Sequence, residues 1–158
     1  MKKILFICFT VVLLASCRSA SDNPYSVVGS WEFVDVDVDI KSESPTVDRA
    51  IRTAFVAYTT LGGGIDQFRG TIKFDKNGRC TAPKFSCDYT SYGNTLSLKQ
   101  KLLNVAGVNT KFTIDRKYDE LYLTYDAKEA ISDFGIGLSA KDLKSVQKAN
   151  IILILRKK

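Results

Sequence analysis

Over residues 28–158, apolar and polar positions alternate in short runs separated by turn-forming residues. A two-residue period is that of a strand with one buried face. The pattern predicts eight strands: Ser30–Ile40, Gly70–Asp75, Arg79–Ala82, Phe85–Ser91, Thr95–Lys101, Asn109–Asp115, Glu120–Asp126 and Asn150–Arg156. The first alternates strictly after Phe33, and the last is apolar on both faces. Two intervals carry helical spacing instead. Between the first and second strands, Val47, Ile51, Ala54, Phe55, Tyr58 and Leu61 recur at three- and four-residue steps. Ser44 and Pro45 suit the start of that helix, and Gly62 to Gly64 its end. Between the seventh and eighth strands, Ala127–Phe134 predicts a short helix broken by Gly135 and Gly137. Ser139 to Asp142 forms an S-x-x-D cap for a second helix running to about Ala149.

Turn geometry places the strands against one another. A three-residue loop at Lys76-Asn77-Gly78, with Gly78 left-handed, sets Phe74 opposite Cys80. A two-residue turn at Pro83-Lys84 sets Cys80 opposite Cys87. A turn at Tyr92-Gly93 sets Tyr89 opposite Leu96, and one at Lys117-Tyr118 sets Phe112 opposite Leu123 and Ile114 opposite Leu121. One face then carries Ile72, Phe74, Cys80, Phe85, Cys87, Tyr89, Leu96, Leu98, Phe112, Ile114, Leu121, Leu123 and Tyr125. The other carries Lys73, Arg79, Asp88, Thr90, Ser97, Lys99, Lys111 and Asp115. Such alternation over a meander of hairpins suits a sheet closed on itself. The predicted fold is mainly β: an eight-stranded antiparallel up-and-down barrel. It has a helix between strands one and two and a helical insert between strands seven and eight. On the first strand Trp31 and Phe33 share parity with Asp35, Asp37 and Asp39, while Val34, Val36, Val38 and Ile40 are expected inward. A bulge between Phe33 and Val34 reconciles the two. Same-face carboxylates lie about 7 Å apart along a strand, too far to share one cation, so the aspartates read as a solvated outer face.

Length and composition narrow the chemistry. The 158 residues are 45% hydrophobic and 25% charged, enough for one domain with a core that needs no staple. Histidine is absent, which excludes Ser-His-Asp and Cys-His catalysis, histidine metal ligands and histidine pH switching. Glu32, Glu43, Glu120 and Glu129 are the only glutamates, and none sits in a catalytic motif. No Gly-Lys-Ser/Thr follows Gly62-Gly63-Gly64, so it is no phosphate loop. The chain is expected to be noncatalytic, with no cofactor and no metal.

The N-terminal segment reads as an address. Lys2 and Lys3 precede an apolar run, Ile4 to Leu14, shorter than the roughly 20 residues a spanning helix needs. Leu14-Ala15-Ser16-Cys17 then resembles the lipobox of bacterial lipoproteins. The resemblance implies cleavage after Ser16 and acylation of Cys17, anchoring the chain to a membrane. The expected layout is a signal peptide over 1–16, a lipidated flexible tether over 17–27 and a barrel domain over 28–158. Loss of Lys2 and Lys3 lowers the formal charge from +6 to +4, which weakens any reading as a nucleic-acid binder. Arg18 after the lipidated cysteine resembles a residue that permits transport to the outer membrane, facing the periplasm. No acidic run supports surface display, which stays open.

Val28-Gly29-Ser30-Trp31 resembles the G-x-W entry to the first strand of lipocalins and other calycins. The wider pattern is similar to that of an uncharacterised family of bacterial lipocalin-like lipoproteins. That pattern runs from lipobox through G-x-W strand, helix, meander and helical insert to a last apolar strand with basic residues at its end. This resemblance implies a calycin-type barrel; the helix after strand one and the insert before strand eight depart from secreted lipocalins. The long connections share one end of such a barrel, and tight turns share the other, beside the tether and Arg156, Lys157 and Lys158. Those three are either a solvated terminus or a contact to anionic head groups. The leading expectation is a small apolar or amphipathic ligand bound at the helix-covered end. Trp31, Phe74, Phe85, Tyr89, Phe112, Leu123 and Tyr125 would line the barrel, and Phe55, Tyr58 and Phe134 would form a lid. The alternative makes the helices a plug over a filled barrel that serves as a protein-interaction or inhibitor module. The many large inward residues favour a filled barrel or a small ligand over a roomy one. A monomer is expected. Cys80 and Cys87 face each other either as a disulfide, which an exported compartment permits, or as two small buried thiols. Two cysteines without histidine fall short of a zinc site.

Overall fold

A computed structural model describes residues 23–60, 64–100, 110–134 and 136–158. The expected signal segment 1–16, Cys17, the first part of the expected tether, the apolar residues 102–105 and the Phe134 side chain lie outside the described residues. Eight strands form a closed antiparallel barrel in chain order, with the last paired to the first. They are β1 (Gly29–Ser42), β2 (Thr71–Phe74), β3 (Arg79–Ala82), β4 (Phe85–Tyr92), β5 (Thr95–Leu98), β6 (Thr110–Lys117), β7 (Glu120–Asp126) and β8 (Val146–Lys157). Helix α1 (Pro45–Thr60) and a 3-10 turn (Gly64–Gln67) follow β1. A second 3-10 helix (Lys128–Phe134) and α2 (Ala140–Ser145) precede β8. The fold is the one the hydrophobic pattern predicts.

All thirteen residues assigned to the inner face are buried except Tyr125, which is half-buried and packed on the core. The predicted outer face is solvent-exposed, with Ser97 half-buried. Two hairpin registers differ from expectation. The β4–β5 turn is Gly93-Asn94, closed by Tyr92 and Thr95, so Tyr89 faces Leu98. The β6–β7 turn is Tyr118-Asp119, closed by Lys117 and Glu120, so Ile114 faces Leu123. Moving a turn by one residue slides the register by two, which leaves every side chain on its predicted face. Glycine decides the first case: Gly93, at φ +53, takes the first loop position, where a side chain is disfavoured.

β1 holds the predicted change of face. Its pairing with β8 steps from Phe33 to Asp35, leaving Val34 as the bulged residue. Val34 is 43% exposed, which corrects its expected inward orientation; Val38 and Ile40 are buried and Val36 half-buried. A bulged residue has no partner across the ladder, so its side chain turns out while the next valines resume the inner face.

The second insert helix is shorter than expected. α2 stops at Ser145, and Val146–Ala149 belong to β8. The Ser145 hydroxyl donates to the Asp142 carbonyl at 2.6 Å, competing with continuation of the helix. Val146 and Ala149 are buried and pair with Ser42 and Ile40 of β1. The backbone beyond Ser145 thus finds its partners in a strand rather than in another helical turn.

Candidate functional site

β1 and β8 form a ribbon that outruns the rest of the barrel. β2 covers β1 only over Gly29–Glu32, and β7 covers β8 only over Asn150–Arg156. Beyond those limits, helix α1 packs on the ribbon. Val47, Ile51 and Phe55 bury its inner stripe, and Arg52 donates to the Val38 carbonyl at 3.0 Å. Of the expected lid, Phe55 is fully buried and belongs to the core, while Tyr58 is half-buried against it.

The expected lining residues meet inside the barrel and pack against each other. At the tight-turn end, Trp31 is 0% exposed; its indole N–H donates to the Val27 carbonyl at 2.6 Å. The Arg116 guanidinium lies 5.5 Å from the Trp31 ring centre, a cation–π contact that covers the ring at this end. Phe74 and Tyr89 meet edge to face at 5.2 Å, and the Tyr89 hydroxyl donates to the Asp75 carbonyl at 2.6 Å. Burial, then the Asp75 charge, push the Tyr89 phenol up. Further along, Phe68 stands edge-on to Phe85 at 5.3 Å and to Phe112 at 6.1 Å, and Phe112 meets Tyr125 at 6.2 Å. Leu123 is 1% exposed.

Phe68 and Ile65 were not among the expected site residues. Ile65 comes from the 3-10 turn after α1 and Phe68 directly follows that turn; both are buried, at 0% and 1% exposure. Their three-residue spacing between the glycine run and β2 is the signal that could have flagged them. They plug the lumen from the helical end. Trp31, Phe68 and Phe112, at 0–2% exposure, are closely packed, while Tyr125 keeps part of its ring accessible.

Concavities lie at both ends of the barrel. One, of about 150 Å3, lies at the helical end between the second 3-10 helix and α2. Ile131, Ser132, Ile136, Gly137, Leu138 and Leu143 line it. The other is a shallow groove of about 420 Å3 at the tight-turn end, between residues 23–28 and the β2–β3 turn and β4, with Lys76, Thr90 and Ser91 on its wall. Asn23 thus leaves the barrel beside the tight turns.

α2 is held over the first hollow by its cap. Ser139 and Asp142 form a reciprocal capping box, the Asp142 amide donating to the Ser139 hydroxyl at 3.2 Å and the Ser139 amide to the Asp142 carboxylate at 3.1 Å. The Ser139 hydroxyl also donates to that carboxylate at 2.6 Å, and these bonds hold the Asp142 carboxyl below its usual range.

Cys80 and Cys87 are directly opposed, as expected, and both are buried free thiols. The Tyr89 amide donates to the Gly78 carbonyl, so Gly78 and Tyr89 are a hydrogen-bonded pair. Alternation along the ladder makes Cys80 and Cys87 another such pair. That is the wider spacing, about 5.5 Å, whereas a disulfide needs Cβ atoms about 3.5–4.5 Å apart. A hydrogen bond between the thiols, together with burial, raises the Cys80 thiol.

The β1 aspartates occupy the solvent side as expected, each held separately. Asp35 and Asp37 accept from the amides of Val36 and Val38, and Asp39 pairs with Lys148. Among the described residues no three cysteine, aspartate or glutamate side chains come together to hold a metal ion. Nor is any described helix long and apolar enough to cross a membrane.

The closed eight-stranded barrel, entered through Gly29-Ser30-Trp31, is consistent with a calycin-like fold. Compared with protein-family models, curated proteins and solved structures, the chain finds no match in any of the three.

Proposed function

We propose that the protein is a noncatalytic, lipid-anchored binding barrel. Its ligand site lies at the helix-covered end, in the hollow between the second 3-10 helix and α2, rather than in the lumen. The carrying observation is the contrast between barrel rings packed edge to face and a partly open hollow of about 150 Å3 at the helical end, where Ile131, Ile136, Leu138 and Leu143 share the lining with Ser132. An enclosed apolar cavity of about that volume takes up benzene, which sets the upper size of a ligand here. The matching ligand class is therefore a single ring or a short alkyl chain, with any polar part left outside beside Ser132. Anchorage to the outer membrane through acylated Cys17, facing the periplasm, is part of the proposal. It is supported by Leu14-Ala15-Ser16-Cys17 and by Arg18.

Native mass spectrometry of the protein gently extracted from its own cells tests the reading. The expected result is a discrete added mass that is lost on denaturation and absent from Leu143→Trp, whose ring fills the hollow. A bare lipidated monomer from the unsubstituted chain overturns it. A defined complex with a second protein would instead select an interaction or inhibitor module, the reading that a filled lumen also favours.

A further inference from the structure

The tight-turn end carries features that neither the barrel core nor the proposed ligand site uses. Tyr118 is 98% exposed and Tyr92 90% exposed, the two most solvent-exposed large apolar side chains among the described residues. Both sit at the tips of neighbouring hairpins, β6–β7 and β4–β5, about two strand spacings or 10 Å apart. The two turns are built alike, yet Gly93 takes the left-handed position in one and Tyr118, at φ +56, takes it in the other. A bulky residue is disfavoured there, and its ring touches almost nothing in the fold, so the fold gains nothing from tyrosine at this place.

The same rim carries cations. The Lys157 amide donates to the Asp119 carbonyl at 2.7 Å, which sets the end of β8 beside the Tyr118 turn. Lys158 follows, next to Ser30 and Thr71. Lys76 stands on the β2–β3 turn, and neither it nor Lys157 makes an ion pair among the described residues. Of the rim acids, Asp75 accepts from the Asn77 and Arg79 amides, and Glu120 is held by Tyr122 and Arg156. Asp119 remains beside Lys157. Tyrosines with lysines around them are the side chains that settle at the head-group level of a bilayer.

The tether decides what this rim meets. Asn23 leaves the barrel beside Lys76, and Cys17 lies six residues upstream, a reach of at most about 20 Å. We infer that the tight-turn rim is a membrane-contact surface, with Tyr92 and Tyr118 seated among anionic lipid head groups and Lys76, Lys157 and Lys158 around them. The placement rests on the acylation of Cys17; the surface chemistry does not. The helical end then points away from the bilayer, open to its ligand.

Fluorescence separates these claims. Trp31 is the chain's single tryptophan and is fully buried, so it supplies a constant background. Full-length Tyr118→Trp and Tyr92→Trp are placed on phosphatidylethanolamine–phosphatidylglycerol vesicles with brominated acyl chains. Val56→Trp, on exposed α1, is the far-end control. The expected result is that the rim tryptophans lose about half their emission to the bromolipid while the control keeps its own. Rim tryptophans that stay unquenched and fully open to acrylamide overturn the inference, as does equal quenching at position 56. Intact mass of the same sample reads the anchor independently. If Cys17 carries no acyl chain the anchor falls, and quenching on added vesicles still decides the surface.

Discussion

Tyr118 illustrates how a single position can work against the fold that holds it. Its left-handed backbone costs about 1–2 kcal/mol relative to an unstrained residue, part of which glycine gives back in unfolded-state entropy. Tyr118→Gly is therefore expected to raise stability by about 1 kcal/mol, read as a higher urea midpoint with an unchanged slope. A fall in the midpoint would mean that the exposed ring makes contacts in solution that hold the hairpin. Cys80 and Cys87 show a different side of the residue scale. Their opposition was legible from the Pro83-Lys84 turn. Their redox state was not, because it depends on the oxidants of the compartment, which side-chain spacing does not encode.

At the scale of elements, the insert before β8 is the part most dependent on local chemistry. α2 has six residues and no buried side chain, so its cap contributes much of what holds it. Asp142 is kept below the usual carboxylate range by the Ser139 hydroxyl and amide. A depressed folded-state value means the contribution is complete above the unfolded carboxylate value and is lost as pH falls through the folded one. An NMR titration should place the Asp142 midpoint below that of a free aspartate, and Ser139→Ala should return it toward the ordinary value. An Asp142 midpoint unaffected by Ser139→Ala would remove the capping box as its cause. The capping motif was readable from Ser139 and Asp142, but the helix end was not. Nothing local told Val146–Ala149 to pair with β1; the ribbon partner did.

On the scale of the whole molecule, closure of the sheet leaves a lumen that must be either filled or occupied. Here Phe68 and Ile65 fill it from a turn that carries no strong periodic signal. Phe68→Ala should cost about 3–5 kcal/mol in chemical denaturation and open a lumen between Phe85 and Phe112. In a Leu143→Trp background, whose hollow is filled, Phe68→Ala should then take up a small apolar probe such as benzene, seen as a rise in melting temperature that Leu143→Trp alone does not show. A cost below about 1 kcal/mol would mean that Phe68 is not the plug and that the barrel is held shut by other contacts.

The eight strands, their inner and outer faces, the bulge after Phe33 and the Cys80–Cys87 opposition were all determined by the sequence itself. Each rests on side-chain period and turn chemistry, which act over a few residues. The resemblance of Leu14-Ala15-Ser16-Cys17 to a lipobox and the absence of histidine are equally local and needed no fold to read. The exposure of Val34, the strand that begins at Val146 and the Phe68 plug were decided only by tertiary structure. Each depends on a partner far along the chain: a facing strand, an unpaired backbone or an empty lumen. Periodicity says which side of a strand is apolar, but only the closed barrel says what fills the space it encloses.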